Sequence, residues 1–135
     1  MAGHLIRRLH QQSTQTFQAR MQAAGHDLTS VQFAALDAVA QEPGIDQAGL
    51  AATIGYDRAT IGGVIDRLES KGLLRRDVSV HDRRARQLAL TTEGGRWLKA
   101  CRPLVEDLQA DILAPLSRAE RRTFLALART ALGLA

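Results

Sequence analysis

The segment that most restricts the fold runs from residue 46 to residue 72. Ile61, Val64, Ile65 and Leu68 stand at i, i+3, i+4 and i+7, the spacing of one buried stripe on a helix. Asp57 just upstream is a capping residue type, and Gly72 supplies the stop. Before that helix, Asp46 caps a shorter one that holds Leu50, Ala51 and Ile54, and only the turn "GYD" separates the two. Two short helices joined by so tight a glycine-containing turn make a helix-turn-helix. "LLRRDV", "HDRRAR" and "QLALT" then read as strand, loop and strand. Leu88 and Leu90 alternate with Gln87 and Ala89, as a half-buried strand requires. A hairpin in this place is a wing.

The flanks are helical. A first helix over about residues 4–24 carries Leu5, Ile6, Leu9, Phe17 and Met21, and Gly25 closes it. Thr29 with Gln32 forms a capping box that opens a second helix holding Val31, Phe33, Leu36 and Val39. "QEPG", residues 41–44, ends it. A long helix from Thr92 to about Leu113 carries Trp97, Leu98, Cys101, Leu104, Val105, Leu108 and Ile112, with Pro103 inside and expected to bend it. Ser117 with Glu120 forms another capping box. The last helix bears Phe124, Leu125, Leu127, Ala128 and Leu132. The expected fold class is mostly α with a small β-hairpin wing: a winged helix-turn-helix lobe over residues 26–96, and a helical dimerisation region over residues 1–25 and 97–135. The apolar faces of the end helices lie outside the lobe, and a second copy of the chain is the simplest cover for them.

Charge points to a partner. Eighteen Lys+Arg stand against 14 Asp+Glu, a formal net charge of +4 in 135 residues. All of the cations except Lys71 and Lys99 are arginine, which suits bidentate contact with phosphate and guanine. Cys101 is the single cysteine, so the chain can form no internal disulfide and no zinc cluster. No apolar run reaches the length of a membrane span and no signal-peptide pattern opens the chain, so a soluble cytoplasmic protein is expected. His4, His10, His26 and His81 are scattered, serine has no G-x-S-x-G context, and there is no glycine-rich phosphate loop. No enzyme, cofactor or metal site is expected.

Two oddities remain. Gly62 and Gly63 stand side by side within the helix that begins after Asp57, although each costs about 1 kcal/mol relative to alanine there. With the apolar stripe turned inward, the outward face holds Arg58, Ala59, Thr60, Gly62, Gly63, Asp66 and Arg67. Bare glycines on that face let the backbone come close to another surface, as a helix in a DNA major groove must. The alternative is that packing merely tolerates them. The second oddity is the cluster His81, Asp82, Arg83, Arg84 and Arg86. It is either a solvated charged loop or a wing tip whose arginines enter a narrow minor groove, with Asp82 orienting one of them. Gln47, Asp57, Arg58, Ala59, Thr60, Gly62, Gly63 and Arg67, with His81, Asp82, Arg83, Arg84 and Arg86, form the candidate DNA-facing set. The competing class is a winged-helix protein-interaction module without DNA binding. That class would have a wing poor in arginine and an apolar recognition face, neither of which the sequence has.

The stretch "LAATIGYDRATIGGVIDRLESKGLLRRDVSVHDRRARQLALTTEGGRWL" resembles the MarR family of bacterial winged helix-turn-helix regulators. The likeness is carried by the D-R-L-E-x-K-G-L run, the Asp82-Arg83-Arg84 wing and the L-x-L-T-x-x-G junction. It extends over nearly the whole chain and is nearest to the branch, of the NicR and BpsR type, that regulates degradation of aromatic acids. The resemblance implies a homodimeric repressor on a pseudo-palindromic double-stranded DNA operator. It makes Arg84 the wing arginine and Asp82 its acidic partner. It also implies release by a small aromatic carboxylate, such as a hydroxylated nicotinic acid, bound between the dimerisation helices and the lobe. His10, Thr14 and Phe17 would line that pocket and Arg7 would pair with the carboxylate, unless these are ordinary surface and dimer contacts. The family's peroxide-sensing branch uses a cysteine in the first helix. This chain has none there, and Cys101 reads as a small buried hydrophobe.

Overall fold

The computed structural model describes residues 1–78 and 86–134. The elements are α1 (Ala2–Ala23), α2 (Ser30–Gln41), α3 (Gln47–Ile54), α4 (Arg58–Ser70), β1 (Leu74–Val78), β2 (Arg86–Leu90), α5 (Thr92–Ile112) and α6 (Arg118–Ala131). Side-chain caps set the start of every helix after the first. Thr29 and Ser117 head complete capping boxes with Gln32 and Glu120, while Asp46, Asp57 and Thr91 each accept from a backbone amide three residues on. Each such cap satisfies one of the amides that a helix leaves without an internal partner. Gly72, at φ +74°, ends α4. The Leu73 amide reaches back to the Leu68 carbonyl and the Gly72 amide to that of Glu69, the two bonds of a Schellman stop.

The hairpin follows directly. β1 and β2 pair antiparallel from Leu74 opposite Leu90 to Val78 opposite Arg86. The sequence reading had the second strand end at residue 91. Thr91 instead leaves the strand, because its hydroxyl caps α5 by accepting from the Gly94 amide at 2.9 Å and donates to the Gly72 carbonyl at 2.6 Å. The α2–α3 turn also grips the hairpin. The Gly44 amide donates to the Leu88 carbonyl and the Leu88 amide to the Ile45 carbonyl, both at 2.9 Å.

Two regions of the core meet along α5. Leu36, Leu50, Ile61, Ile65, Leu68, Leu74 and Leu88 are fully buried within the winged lobe, and each such side chain contributes about 1.5–3 kcal/mol. Phe17 and Met21 of α1 are buried with Leu98, Cys101, Val105 and Leu108 of α5. Burial pushes the Cys101 thiol above its ordinary pKa, which favours the protonated form. Arg20 of α1 binds both Asp107 and Asp111 of α5, and the Gln12 side chain donates to the Ile112 carbonyl at 2.8 Å. The ends of the chain behave differently. α6 buries none of its residues. Leu5, Ile6, Leu125, Leu127 and Leu132 are all more than half exposed. No helix among the described residues is long and apolar enough to cross a membrane.

Candidate nucleic-acid interface

α4 turns Ile61, Val64, Ile65 and Leu68 into the core, which leaves Arg58, Ala59, Thr60, Gly63, Asp66 and Arg67 exposed. The Asp57 carboxylate accepts from the Thr60 amide at 2.6 Å. That bond holds its carboxyl below the usual carboxylate range, so the cap is ionised at neutral pH. Among the described residues, the guanidinium groups of Arg58 and Arg67 have no hydrogen-bond or ion-pair partner.

The cations around them are engaged. Arg76 binds Asp66 at 2.8 Å and Glu69 at 3.1 Å, and Arg75 binds Asp77 at 3.1 Å. Lys71 donates to the Asp27 carbonyl at 2.7 Å and to the Gln32 side chain at 3.3 Å. Arg76 thereby offsets Asp66 and Glu69 of α4, and among the described residues the unpaired positive charge on that helix sits on Arg58 and Arg67. Arg86, the first residue of β2, is exposed. His81, Asp82, Arg83 and Arg84 lie outside the described residues.

The two glycines differ. Gly63 is exposed, and a Cβ built on it would meet nothing within 4 Å. Gly62 is half-buried and does not share the open face that the sequence reading assigned to both. A Cβ there would stand 3.1 Å from the Gln47 amide nitrogen. Helix α3 crosses α4 at that point, which periodicity along α4 alone could not reveal.

Behind the lobe lies a cleft of about 360 Å³ between α1, α2, α3 and α5. Phe17 and Phe33 form one wall, their ring centroids 6.2 Å apart and tilted by 50°. Ser13, Ser30, Gln41 and Gln109 add polar groups. Asp37 is the charged residue on the lining, held by Arg102 at 2.6 Å and by Gln41 at 3.0 Å. Of the four ligand positions expected from sequence, the structure puts Phe17 on the cleft. Arg7 and His10 are exposed on the N-terminal half of α1, and Thr14 donates to the His10 carbonyl at 3.0 Å. Sequence reasoning missed Ser13, Asp37 and Gln109, which come together from three helices and leave no short-range signal.

A sequence model of the MarR family matches residues 26–85. The transcriptional regulator HosA of Escherichia coli O127:H6 is 37% identical over 128 residues, covering 95% of this chain and 92% of that protein. The chain belongs to the MarR family. The HTH-type transcriptional repressor NicR of Pseudomonas putida is 34% identical to this MarR-family chain over 127 residues, covering 94% of the chain and 79% of NicR. The structure of Bordetella bronchiseptica BpsR, solved to explain how 6-hydroxynicotinic acid regulates its DNA binding, superposes with a TM-score of 0.89 at 28% identity. It covers the whole of this chain and 95% of the BpsR chain. This MarR-family protein is therefore a winged-helix transcriptional regulator similar to NicR and BpsR, and not an enzyme.

Proposed function

We propose that the chain is a cytoplasmic homodimeric repressor that binds a pseudo-palindromic duplex operator and releases it when a small aromatic acid fills the cleft. The observation that carries the DNA reading is the outer face of α4. Among the described residues Arg58 and Arg67 stand unpaired there, beside Thr60 and Gly63, while the neighbouring Arg75 and Arg76 are tied in ion pairs. Free arginines at a helix N-terminus reach base edges in a major groove, and those further along reach phosphate. In this proposal Arg86 also contacts DNA, as do, from the sequence outside the described residues, His81, Asp82, Arg83 and Arg84. Residues 26–96 act as the reading lobe; residues 1–25 and 97–135 join the two protomers through their exposed apolar faces. NicR, named a repressor, and BpsR, whose DNA binding responds to 6-hydroxynicotinic acid, support this reading.

The effector of this proposal is a planar ring with a hydroxyl and a carboxylate, such as a hydroxylated nicotinic acid. Its ring lies against Phe17 and Phe33, and its hydroxyl donates to Asp37. Its carboxylate is repelled by Asp37 and drawn to Arg102, or to an Arg7 brought in by the partner. The test uses the purified full chain. It selects duplexes from a random pool and then measures their affinity while 6-hydroxynicotinic acid is added. Two inverted half-sites and release by the acid are expected. Failure to select any sequence would overturn the DNA reading. Selected duplexes that hydroxylated pyridine and benzoic acids leave bound would overturn the effector reading.

A further inference from the structure

Gln47 is the first residue of α3, and its side chain lies across the first turns of α4. Its amide nitrogen donates to the Arg58 carbonyl at 3.3 Å and rests over Gly62. The Arg58 carbonyl also faces the amide of Gly62 one helical turn on. A carbonyl oxygen has two lone pairs, so it can serve both donors. The contact pins α4 to α3 at Arg58, whose guanidinium has no partner among the described residues. At Gly62 a methyl group would stand 3.1 Å from the Gln47 amide, so any residue larger than glycine presses on that amide.

We propose that Gln47 is a positioning residue for sequence reading: it fixes the backbone from which Arg58 reaches its base, and Gly62 is glycine to make room for the Gln47 amide. The inference rests on the reading of α4 as the helix that enters the groove. It assigns Gly62 a partner inside the protein, whereas clearance for DNA would assign it a partner outside. A bidentate arginine–base contact needs both donors of a planar fork aligned, while a phosphate contact tolerates displacement. Loss of the pin therefore falls on the selected sequence and spares binding to arbitrary DNA.

The experiment is a double-mutant cycle on the full chain: parent, Gln47→Ala, Gly62→Ala and the double variant, with Arg58→Ala alongside. Affinities are measured for a duplex that the parent selects from a random pool and for its scrambled counterpart. Each single variant is expected to weaken binding to the selected duplex by roughly three- to tenfold and to the scrambled one by less than about twofold. The double variant should be no weaker than either single one. Losses that multiply in the double variant would place Gly62 against DNA and overturn the proposal. So would single variants that match the parent, or that weaken both duplexes alike. An Arg58→Ala protein that keeps full affinity would instead overturn the reading of α4 itself. Thermal melting of the same four proteins tests the contact without DNA. Helix propensity alone makes Gly62→Ala stabilising in both backgrounds, whereas the pin allows that gain only when residue 47 is alanine. An equal gain in both backgrounds would overturn it.

Discussion

A single hydrogen atom decides how closely α5 can approach the hairpin. A Cβ on Gly94 would overlap the Leu73 carbonyl oxygen, which also accepts from the Thr91 amide at 3.2 Å. Here the obstacle is backbone, which cannot swing aside as a flexible side chain would. Gly94→Ala should therefore destabilise the protein by about 1–3 kcal/mol, seen as a lower urea midpoint at unchanged slope. A midpoint equal to the parent's would show that α5 can shift freely. The glycine of the L-x-L-T-x-x-G motif is visible in the sequence, but its reason is not, because the atom that excludes a side chain belongs to a residue 21 positions earlier. Asp57 gives a pH prediction. The Thr60 amide lowers its pKa in the folded protein. Its stabilising effect is thus complete above the unfolded carboxylate pKa of about 3.9 and is lost as pH falls through the lower folded value. Asn caps helices without titrating. The melting temperature of Asp57→Asn should accordingly fall less steeply than the parent's below about pH 4. Parallel curves would mean that the cap charge contributes nothing.

At the scale of elements, local signals carried far and contacts between helices did not. The helix starts at Ser30, Arg58 and Arg118 were legible because Thr29, Asp57 and Ser117 act within three residues of themselves. The inward stripe of α4 was legible because its period is the helix's own. Gly62 was placed on the right helix, but the nearness of Gln47 was not legible, since that side chain approaches from α3. The cleft was legible only at Phe17. Its other wall comes from α2 and α5, and no spacing within α1 reports them. One bond between these helices is open to a direct test. Arg102 of α5 holds the cleft-lining Asp37 of α2 at 2.6 Å from outside the lining itself, and both side chains are partly exposed. Arg102→Ala should cost under about 1 kcal/mol of stability yet raise the concentration of aromatic acid needed to release DNA. A variant that melts like the parent and responds to the acid like the parent would remove Arg102 from the effector's reach.

The molecule as a whole is unfinished at its two ends. α1 and α6 present Leu5, Ile6, Leu125 and Leu127 to solvent, Leu132 follows directly after α6 and is exposed too, and α6 buries none of its own residues. A stable interface made from these faces should bury more than about 2,000 Å². Sedimentation at micromolar concentration should show a species near twice 14.7 kDa, and a chain ending before Ser117 should aggregate or stay unfolded. A well-folded 14.7 kDa species from the intact chain would refute the pairing. Salt dependence is the other property of the whole dimer. If Arg67 in each protomer displaces about one counterion from a phosphate, Arg67→Ala should flatten the logarithmic salt slope of operator binding by roughly 2.

The separation of α6 from α4 also has a genetic consequence. A chain with a damaged α4 still carries an intact α6, so it can be incorporated with normal chains. In a cell making equal amounts of both, random association leaves only about a quarter of the dimers with two working α4 helices. Such an allele would interfere with its normal counterpart. An allele that stops before Ser117 has no such hold on the normal chain and would be silent beside it.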